Sequence, residues 1–251
     1  MSQGAILLVV AVSLAFMMVR PFGVPEAVPA LGGAVLLVLF GALTPFAALC
    51  AAGQGMEVYL FLAGMMLLAE LALLQGVFSW AAVLLARMAQ GSAVKLFALI
   101  YALAVIITAL LSNDATAVVF TPAVAAMAAA AEIAEPLPYL LICAFVANAA
   151  SFVLPISNPA NLVLFDGQMP RLSVWLRLFG LASVLSIVMT YVVLWLTQRR
   201  ALRGRVRLPE TVPELTRGGQ YTLAGLGGTA LLLVLAAWFG WPLGALTCAL
   251  G

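Results

Sequence analysis

The stretch Leu111-Ser-Asn-Asp-Ala-Thr-Ala117 decides the fold, because it places polar side chains in the middle of a long apolar region. The apolar run that begins at Leu96 stops at Ser112-Asn113-Asp114 and then resumes through Ala131. A second stretch, Leu154-Pro-Ile-Ser-Asn-Pro-Ala-Asn-Leu162, interrupts the next apolar run. Both interruptions combine polar side chains with a break in a hydrophobic segment. What they mean depends on the solvent that surrounds the segments.

The composition identifies that solvent as a lipid bilayer. Hydrophobic residues make up 66% of the 251 positions and charged residues only 8%, whereas soluble domains carry roughly 25% charged residues. Too few polar side chains are present to cover a surface that faces water. The composition therefore predicts an all-α integral membrane protein with several spans, and the net charge of +2 does not indicate nucleic acid as a partner. We expect the protein in the cell (inner) membrane.

A helix needs about 20 mostly apolar residues to cross a bilayer, and the chain offers several such segments. The uninterrupted ones lie roughly at 4–19, 28–47, 57–75, 172–197 and 222–241. The interrupted region comprises a hairpin at 96–131 and a broken helix at 137–166. Periodicity leaves open whether residues 96–131 form a re-entrant hairpin or two full spans.

Basic residues give the expected orientation, because Lys and Arg in short loops remain cytoplasmic. Five of the 11 basic residues fall between Arg199 and Arg207, so the loop 198–219 is expected on the cytoplasmic side. Counting spans backwards from this loop places nine of the 11 basic residues inside. Either arrangement of residues 96–131 gives the same count, since both return the chain to its starting side.

Asp114 is the most informative residue of the first break. A carboxylate at membrane depth is costly unless partners or water attend it, and a low-dielectric environment favours its protonated form. A group that gains and loses a proton is what a proton-coupled carrier requires. The alternative is a capping role, in which Asn113 or Asp114 accepts hydrogen bonds from the first backbone donors of the helix that begins at Ala115.

The second break presents neutral polar groups. Ser157, Asn158 and Asn161 surround Pro159, which lacks a donor and disfavours helix at the preceding residue. Their amide and hydroxyl groups suit a small uncharged polyhydroxylated solute or a partly dehydrated cation. Asn148 and Ser151 precede this break and are further candidates, with a helix-to-helix hydrogen bond as the alternative for these two.

Glu70 lies within the segment 57–75, and an intramembrane carboxylate is a functional candidate by default. It is a second candidate for proton coupling, unless it lies near the cytoplasmic end of its span. The chain has no histidine, and its three cysteines are widely spaced, so no metal site is expected. We expect neither a cofactor nor an enzymatic activity.

These residues carry a resemblance to a known family. The motifs are Gly64-Met-Met-Leu-Leu-Ala-Glu70, Leu111 to Ala117 with Thr121-Pro122, and Ala147-Asn-Ala-Ala-Ser151 running into Leu154 to Leu162. In this order they resemble the arsenical-pump membrane protein family, part of an ion-transporter superfamily that includes dicarboxylate, citrate and sodium/proton carriers. The resemblance spans nearly the whole chain.

The resemblance implies a transporter fold in which the first motif is the tip of a hairpin and the second lies where a helix unwinds. It also implies proton-driven export of arsenite or antimonite. The substrate would meet Ser112, Asn113 and the second break, and protons would use Asp114 or Glu70. The Asn-Asp pair at the first motif also fits the sodium/proton branch, so a sodium/proton antiporter or another ion or carboxylate carrier of the superfamily remains the alternative. A membrane anchor without transport activity would have no reason to keep Asp114 at membrane depth.

Carriers of this type pair two inverted repeats, and the chain holds one complete repeat. Residues 1–197 form this repeat, 198–219 the cytoplasmic loop, and 220–251 the start of a second repeat. We expect the chain to be a fragment of a longer protein; the alternative is a homodimer in which two copies complete a site. The basic loop leaves room for a soluble ATPase partner.

Overall fold

The computed structural model describes residues 2–165, 169–204, 206–207 and 214–251, without the side chains of Phe22 and Gln54. Residue 166 of the expected broken helix and residues 205 and 208–213 of the expected loop lie outside these ranges. The chain forms two compact units, Met1–Met56 and Glu57–Gly251. Helices make up most of both units, which confirms the predicted all-α fold class.

The first unit contains α1 (Gln3–Val19), α2 (Ala27–Leu39) and α3 (Pro45–Gln54). The expected single span at 28–47 is wrong, because the chain breaks between α2 and α3. Gly41 adopts a left-handed φ of 69° there, which glycine tolerates without strain. The Thr44 hydroxyl then accepts a hydrogen bond from Ala47 N at 3.1 Å and caps α3. A glycine and a helix cap thus divide a segment that is apolar enough to continue.

The helices of the second unit carry both polar breaks. They are α4 (Met56–Leu74), α5 (Val77–Met88), α6 (Ala93–Leu110), α7 (Thr121–Ala130), α8 (Leu137–Ala149), α9 (Pro159–Leu164), α10 (Leu172–Gln198), α11 (Arg217–Phe239) and α12 (Leu243–Leu250). A π-helical turn at Ala115–Phe120 leads into α7. Among the described residues, α4, α6, α10 and α11 are long and apolar enough to cross a membrane. The sequence prediction did not assign α5, whose 12 residues are too few for a span.

Helices α6 and α8 run in the same direction. Near their starts the Tyr139 hydroxyl donates to Ala93 O at 3.2 Å. At the far end of the pair, the Ser157 hydroxyl, which follows α8, donates to Ala109 O in the last turn of α6 at 3.0 Å. The segment between α6 and α8 must therefore return the chain to the end where α6 begins. The Thr108 and Thr116 hydroxyls lie 2.8 Å apart, whereas eight residues of continuous helix would separate them by roughly 12 Å. The chain thus folds back at Leu111–Asp114.

Helix α10 packs against this pair in the opposite direction. The Trp175 indole near its start donates to Phe152 O at 3.0 Å, beyond the end of α8. The Tyr101 hydroxyl of α6 donates to Ile187 O at 2.6 Å, and Val206 N beyond α10 donates to Gly91 O at 3.1 Å. The C-terminal end of α10 therefore lies beside the start of α6, which collects arginines at one end of this unit.

Most apolar side chains of α10 face outward. Only Leu172, Trp175, Ser183 and Leu194 of its 27 residues are buried, while leucines and valines along its length are exposed. The transfer of such an apolar surface from water into hydrocarbon lowers the free energy, so this face of α10 is suited to contact with lipid. Together with the spans, this exposed surface identifies a multi-pass membrane protein, as predicted.

Glycines set the spacing between α4 and α12. A Cβ atom at Gly64 would collide with the Thr247 carbonyl group and lie 2.8 Å from Cys248 N. At the start of α12 a further contact forms, because Gly244 N donates to Glu57 Oε2 at 2.8 Å. Residues early in α4 thus meet residues early in α12, and the two helices run parallel. Small residues permit this close backbone approach, as is common between membrane helices.

The close contact at Gly64 gives a test of this packing. We expect Gly64→Ala to lower the free energy of unfolding by about 1–3 kcal/mol, because overpacking displaces backbone atoms. The matched control is Gly180→Ala in α10, where a Cβ atom meets nothing within 4 Å; this change should raise stability by about 0.5–1 kcal/mol. Thermal unfolding of the detergent-purified variants measures both. Equal stability of Gly64→Ala and wild type would contradict the packing.

Candidate functional site

The site is built where the two chain breaks meet. The Ser157 hydroxyl donates to Ala109 O on α6 and accepts from Leu154 N, each at 3.0 Å. This single buried group therefore satisfies one backbone carbonyl near the first break and one backbone amide of the second. Because an unpaired buried backbone group is costly, Ser157 fixes the two breaks side by side. These two bonds give Ser157 a positioning role, and its role as a substrate ligand stays a prediction.

Ser112 takes the capping role at the first break. Its hydroxyl accepts from Ala115 N at 3.2 Å, whereas among the described residues no capping bond involves the side chain of Asp114. The capping alternative considered for Asn113 and Asp114 is thus fulfilled by their neighbour. Asp114 remains exposed, and its carboxylate is available for other contacts.

Asn113 presents an unusual acceptor. Its Oδ1 atom is buried, and it has no hydrogen-bond partner within the described part of the chain. A buried acceptor without a partner costs about 1–3 kcal/mol, so such an atom is a candidate contact for a solvent molecule or a ligand. The predicted site residue Asn113 therefore has unused hydrogen-bonding capacity.

The π-helical turn after the first break was not predicted from the sequence. Residues Ala115–Phe120 adopt it, and the Thr121 hydroxyl donates to Thr116 O at 3.2 Å. The buried Thr108 and Thr116 hydroxyls bond each other across the hairpin. Pro122 follows and lacks a backbone donor, so the Thr121-Pro122 pair is the sequence signal for this irregularity. Turns of this type occur frequently at functional sites.

Asn158 and Asn161 shape the second break. The Asn158 Oδ1 atom accepts from Ala160 N at 2.9 Å and caps α9. The buried Asn161 side chain donates to Ser151 O at 3.1 Å and to Pro155 O at 3.2 Å. These bonds supply partners for backbone carbonyls that the unwound segment frees. Asn158 is half-buried and Asn161 is buried, and both stabilise the break itself.

Asn148 and Ser151 bond within their own segment. The Ser151 hydroxyl donates to Ala147 O at 2.6 Å, and Asn148 Nδ2 donates to Ala144 O at 3.3 Å. Beside the first break lies a cavity whose lining includes Asp114. The structure does not place these two predicted residues, Asn148 and Ser151, in the lining of that cavity.

A cavity of about 270 Å³ lies beside the first break. Its lining brings together Glu70 of α4, Ser112 and Asp114 of the first break, and Pro159 of the second. The remaining lining residues are apolar: Leu62, Met65, Met66, Ala69, Ala115, Val118 and Val119. Two predicted proton-coupling residues and one predicted substrate residue thus share one cavity. No lysine or arginine is among these lining residues.

The cavity can therefore provide carboxylate and hydroxyl groups within a mostly apolar wall. Asp114 and Glu70 are acceptors when ionised, and either becomes a donor when it holds a proton. Such a site is suited to a neutral hydroxylated solute or to a cation. A multivalent anion would meet two carboxylates with no basic residue in the lining to compensate them.

Comparisons with known proteins give a matching family and several relatives. The sequence model of the citrate transporter family matches residues 7–250. The chain is 27% identical over 213 residues to the protein called "Putative arsenical pump membrane protein" of Bacillus subtilis (strain 168), covering 81% of the chain and 45% of that relative. It is 28% identical over 169 residues to an arsenical pump membrane protein of Escherichia coli, covering 65% of the chain and 39% of that relative.

A shorter match reaches higher identity. Over 93 residues the chain is 36% identical to the arsenical pump membrane protein of Escherichia coli (strain K12), which covers 36% of the chain and 22% of that relative. The chain thus spans less than half the length of these curated relatives. The resemblance inferred from the two polar motifs is confirmed. Because the family model covers nearly the entire sequence, the chain belongs to the citrate transporter family.

Proposed function

We propose that the chain forms part of a proton-coupled secondary transporter that exports arsenite and antimonite across the bacterial inner membrane. The observation that carries this proposal is the shared cavity, in which Asp114 at a chain break faces the same space as Glu70. The names of the relatives support the choice of substrate. Discontinuous helices at membrane depth support transport as the activity.

The charge of the cavity lining favours a neutral substrate over a negatively charged one. Arsenite at neutral pH is mostly an uncharged trihydroxide, which needs hydrogen-bond partners and no compensating charge. Ser112, Asp114 and Glu70 provide such partners. Citrate would bring several negative charges to a lining in which the described residues supply two carboxylates and no basic side chain. We therefore favour a neutral metalloid hydroxide over a carboxylate substrate.

Coupling requires a separate charged species, because the movement of a neutral solute gains nothing from the membrane potential. The given sequence has no histidine, so the carboxylates of the cavity are the candidates within this chain to carry the proton. Asp114 lies at the point where the chain reverses, whereas Glu70 lies within the continuous helix α4. Protonation changes Asp114 from an acceptor into a donor, and its contacts to a hydroxylated solute then differ between the two states.

A sodium/proton antiporter is the second candidate, and the Asn113 Oδ1 atom favours it. Hard cations prefer oxygen ligands, and this buried oxygen has no partner among the described residues and belongs to the residue next to Asp114. Everted vesicles separate the two functions. Arsenite-stimulated proton movement supports the exporter, and sodium-stimulated movement without an arsenite response supports the antiporter.

The coupling role of Asp114 predicts a selective defect. Asp114→Asn mimics the neutral acid, so it should still exchange arsenite down a concentration gradient but lose accumulation driven by a pH gradient. Everted vesicles that contain the complete protein allow both measurements. The control is Glu135→Gln, an exposed carboxylate outside the cavity, which should accumulate arsenite as wild type does. Wild-type accumulation by Asp114→Asn would exclude this residue and leave Glu70 as the candidate.

Two asparagines should respond differently to alanine. Asn161→Ala removes two hydrogen bonds that hold the second break and should lower the free energy of unfolding by about 2 kcal/mol. Asn113→Ala removes an acceptor without a protein partner, so stability should stay unchanged or rise by up to about 1 kcal/mol, while the transport rate should fall about tenfold. Thermal unfolding and vesicle transport measured on the same preparations test both. Full transport by Asn113→Ala would exclude this amide from the site.

A further inference from the structure

A second cavity lies at the end of the second unit that collects arginines. It is a groove of about 990 Å³ between the start of α6 and the end of α10. One wall consists of the turn before α6 and its first residues, and the other consists of the residues that follow Trp195. The lining residues are Gln90, Gly91, Ser92, Ala93, Val94, Trp195, Arg199, Leu202, Arg203, Gly204 and Val206.

Specific contacts hold the walls of this groove in place. Val206 N donates to Gly91 O at 3.1 Å, which ties the segment after α10 to the turn before α6. Leu202 is 2% exposed and anchors the same segment in the core. Gln90 and Gly91 adopt left-handed φ angles of 53° and 80°, which turns the chain sharply at the groove. The groove is therefore a built feature of this unit.

The groove is positively charged. Arg199 and Arg203 lie four residues apart at its rim, both are exposed, and the lining residues that the structure describes include no acidic side chain. Neither arginine belongs to a salt bridge within the described residues, whereas Arg207 pairs with Glu132. The first turn of α6 also opens on the groove, and a helix N-terminus carries partial positive charge. Together these groups favour a phosphate, with which Arg forms bidentate hydrogen bonds.

The position of the groove selects a phosphate that is attached to a lipid. Trp195 lies one helical turn before Arg199 and is 37% exposed, and Trp side chains concentrate at the membrane interface. Beyond Trp195, exposed Val192 and Val193 continue toward the hydrocarbon layer. A ligand whose phosphate meets the arginines can therefore lay its acyl chains along α10.

We propose that this groove binds the phosphate headgroup of an anionic phospholipid. Arg199 and Arg203 contact the phosphate, Trp195 packs against the glycerol region, and the acyl chains cover the adjacent apolar surface of α10. Basic pockets beside transmembrane helices are suited to such headgroups. The site lies at a different end of the helices from the Asp114 break and does not depend on the transported substrate.

Native mass spectrometry of the delipidated protein tests the proposal. The protein is incubated with equal amounts of phosphatidylglycerol and phosphatidylcholine, and the preference is the ratio of bound lipids. Wild type should prefer phosphatidylglycerol. Each juxtamembrane basic residue contributes to the binding of an anionic lipid, and removing two should lower the affinity for phosphatidylglycerol about 30-fold. We therefore expect Arg199→Gln/Arg203→Gln to lose the preference for this lipid. Arg200→Gln is the matched control, because this neighbour does not line the groove, and it should keep the preference for phosphatidylglycerol.

Two further measurements keep the outcome decisive. Phosphatidylglycerol with brominated acyl chains should quench wild-type fluorescence more strongly than that of Trp195→Phe, which locates the lipid without any arginine change. Inorganic phosphate alone should not raise the unfolding temperature as phosphatidylglycerol does. Equal binding of both lipids by wild type, an unchanged preference in the double variant, or equal stabilisation by inorganic phosphate would each overturn the proposal.

Discussion

The need to satisfy every backbone group at membrane depth determines the rest of this structure. Two chain breaks free amides and carbonyls that the hydrocarbon layer cannot satisfy, so their partners must come from the protein or from a watery cavity. The Ser157 hydroxyl meets this need at both breaks at once, since it bonds Ala109 O and Leu154 N. Ser112 and Asn161 complete the arrangement within their own segments. Because neutral side chains bond the freed backbone groups, the Asp114 and Glu70 carboxylates at the cavity remain available to bind a solute or a proton.

Sequence reasoning could locate the breaks because they are compositional. Polar residues and prolines within apolar runs are visible without coordinates, and so is the approximate extent of the long spans such as α10. The division of the expected span 28–47 was missed, because a glycine and a threonine cap at residues 41–44 interrupt a run that remains hydrophobic. Helix α5 was missed for the opposite reason: it is helical but shorter than a span.

Individual side-chain roles could not be predicted from the sequence. Ser112, Asn113 and Asp114 are consecutive, and each is chemically able to cap a helix or to meet a ligand. Only the orientation of the chain at the tip shows that Ser112 caps the helix and that the Asn113 oxygen has no partner among the described residues. The same holds for Asn158 and Asn161, which are three residues apart and differ in what they bond. The π-helical turn accompanies a hydrogen bond between Thr108 and Thr116, whose hydroxyls would be far apart in a continuous helix.

The glycine contact of α4 also separates two faces of that helix. Gly64 touches the α12 backbone, and Glu70 follows six residues later, which corresponds to roughly 9 Å along the axis and a rotation of about 240°. The surface that fixes the position of α4 is therefore distinct from the surface that presents a carboxylate to the cavity. A spacing set by backbone atoms does not vary with side-chain rotamers, so α4 provides a fixed reference for the height and angle of Glu70. Residues on the cavity face of α4 can therefore change during evolution without changing how α4 packs against α12.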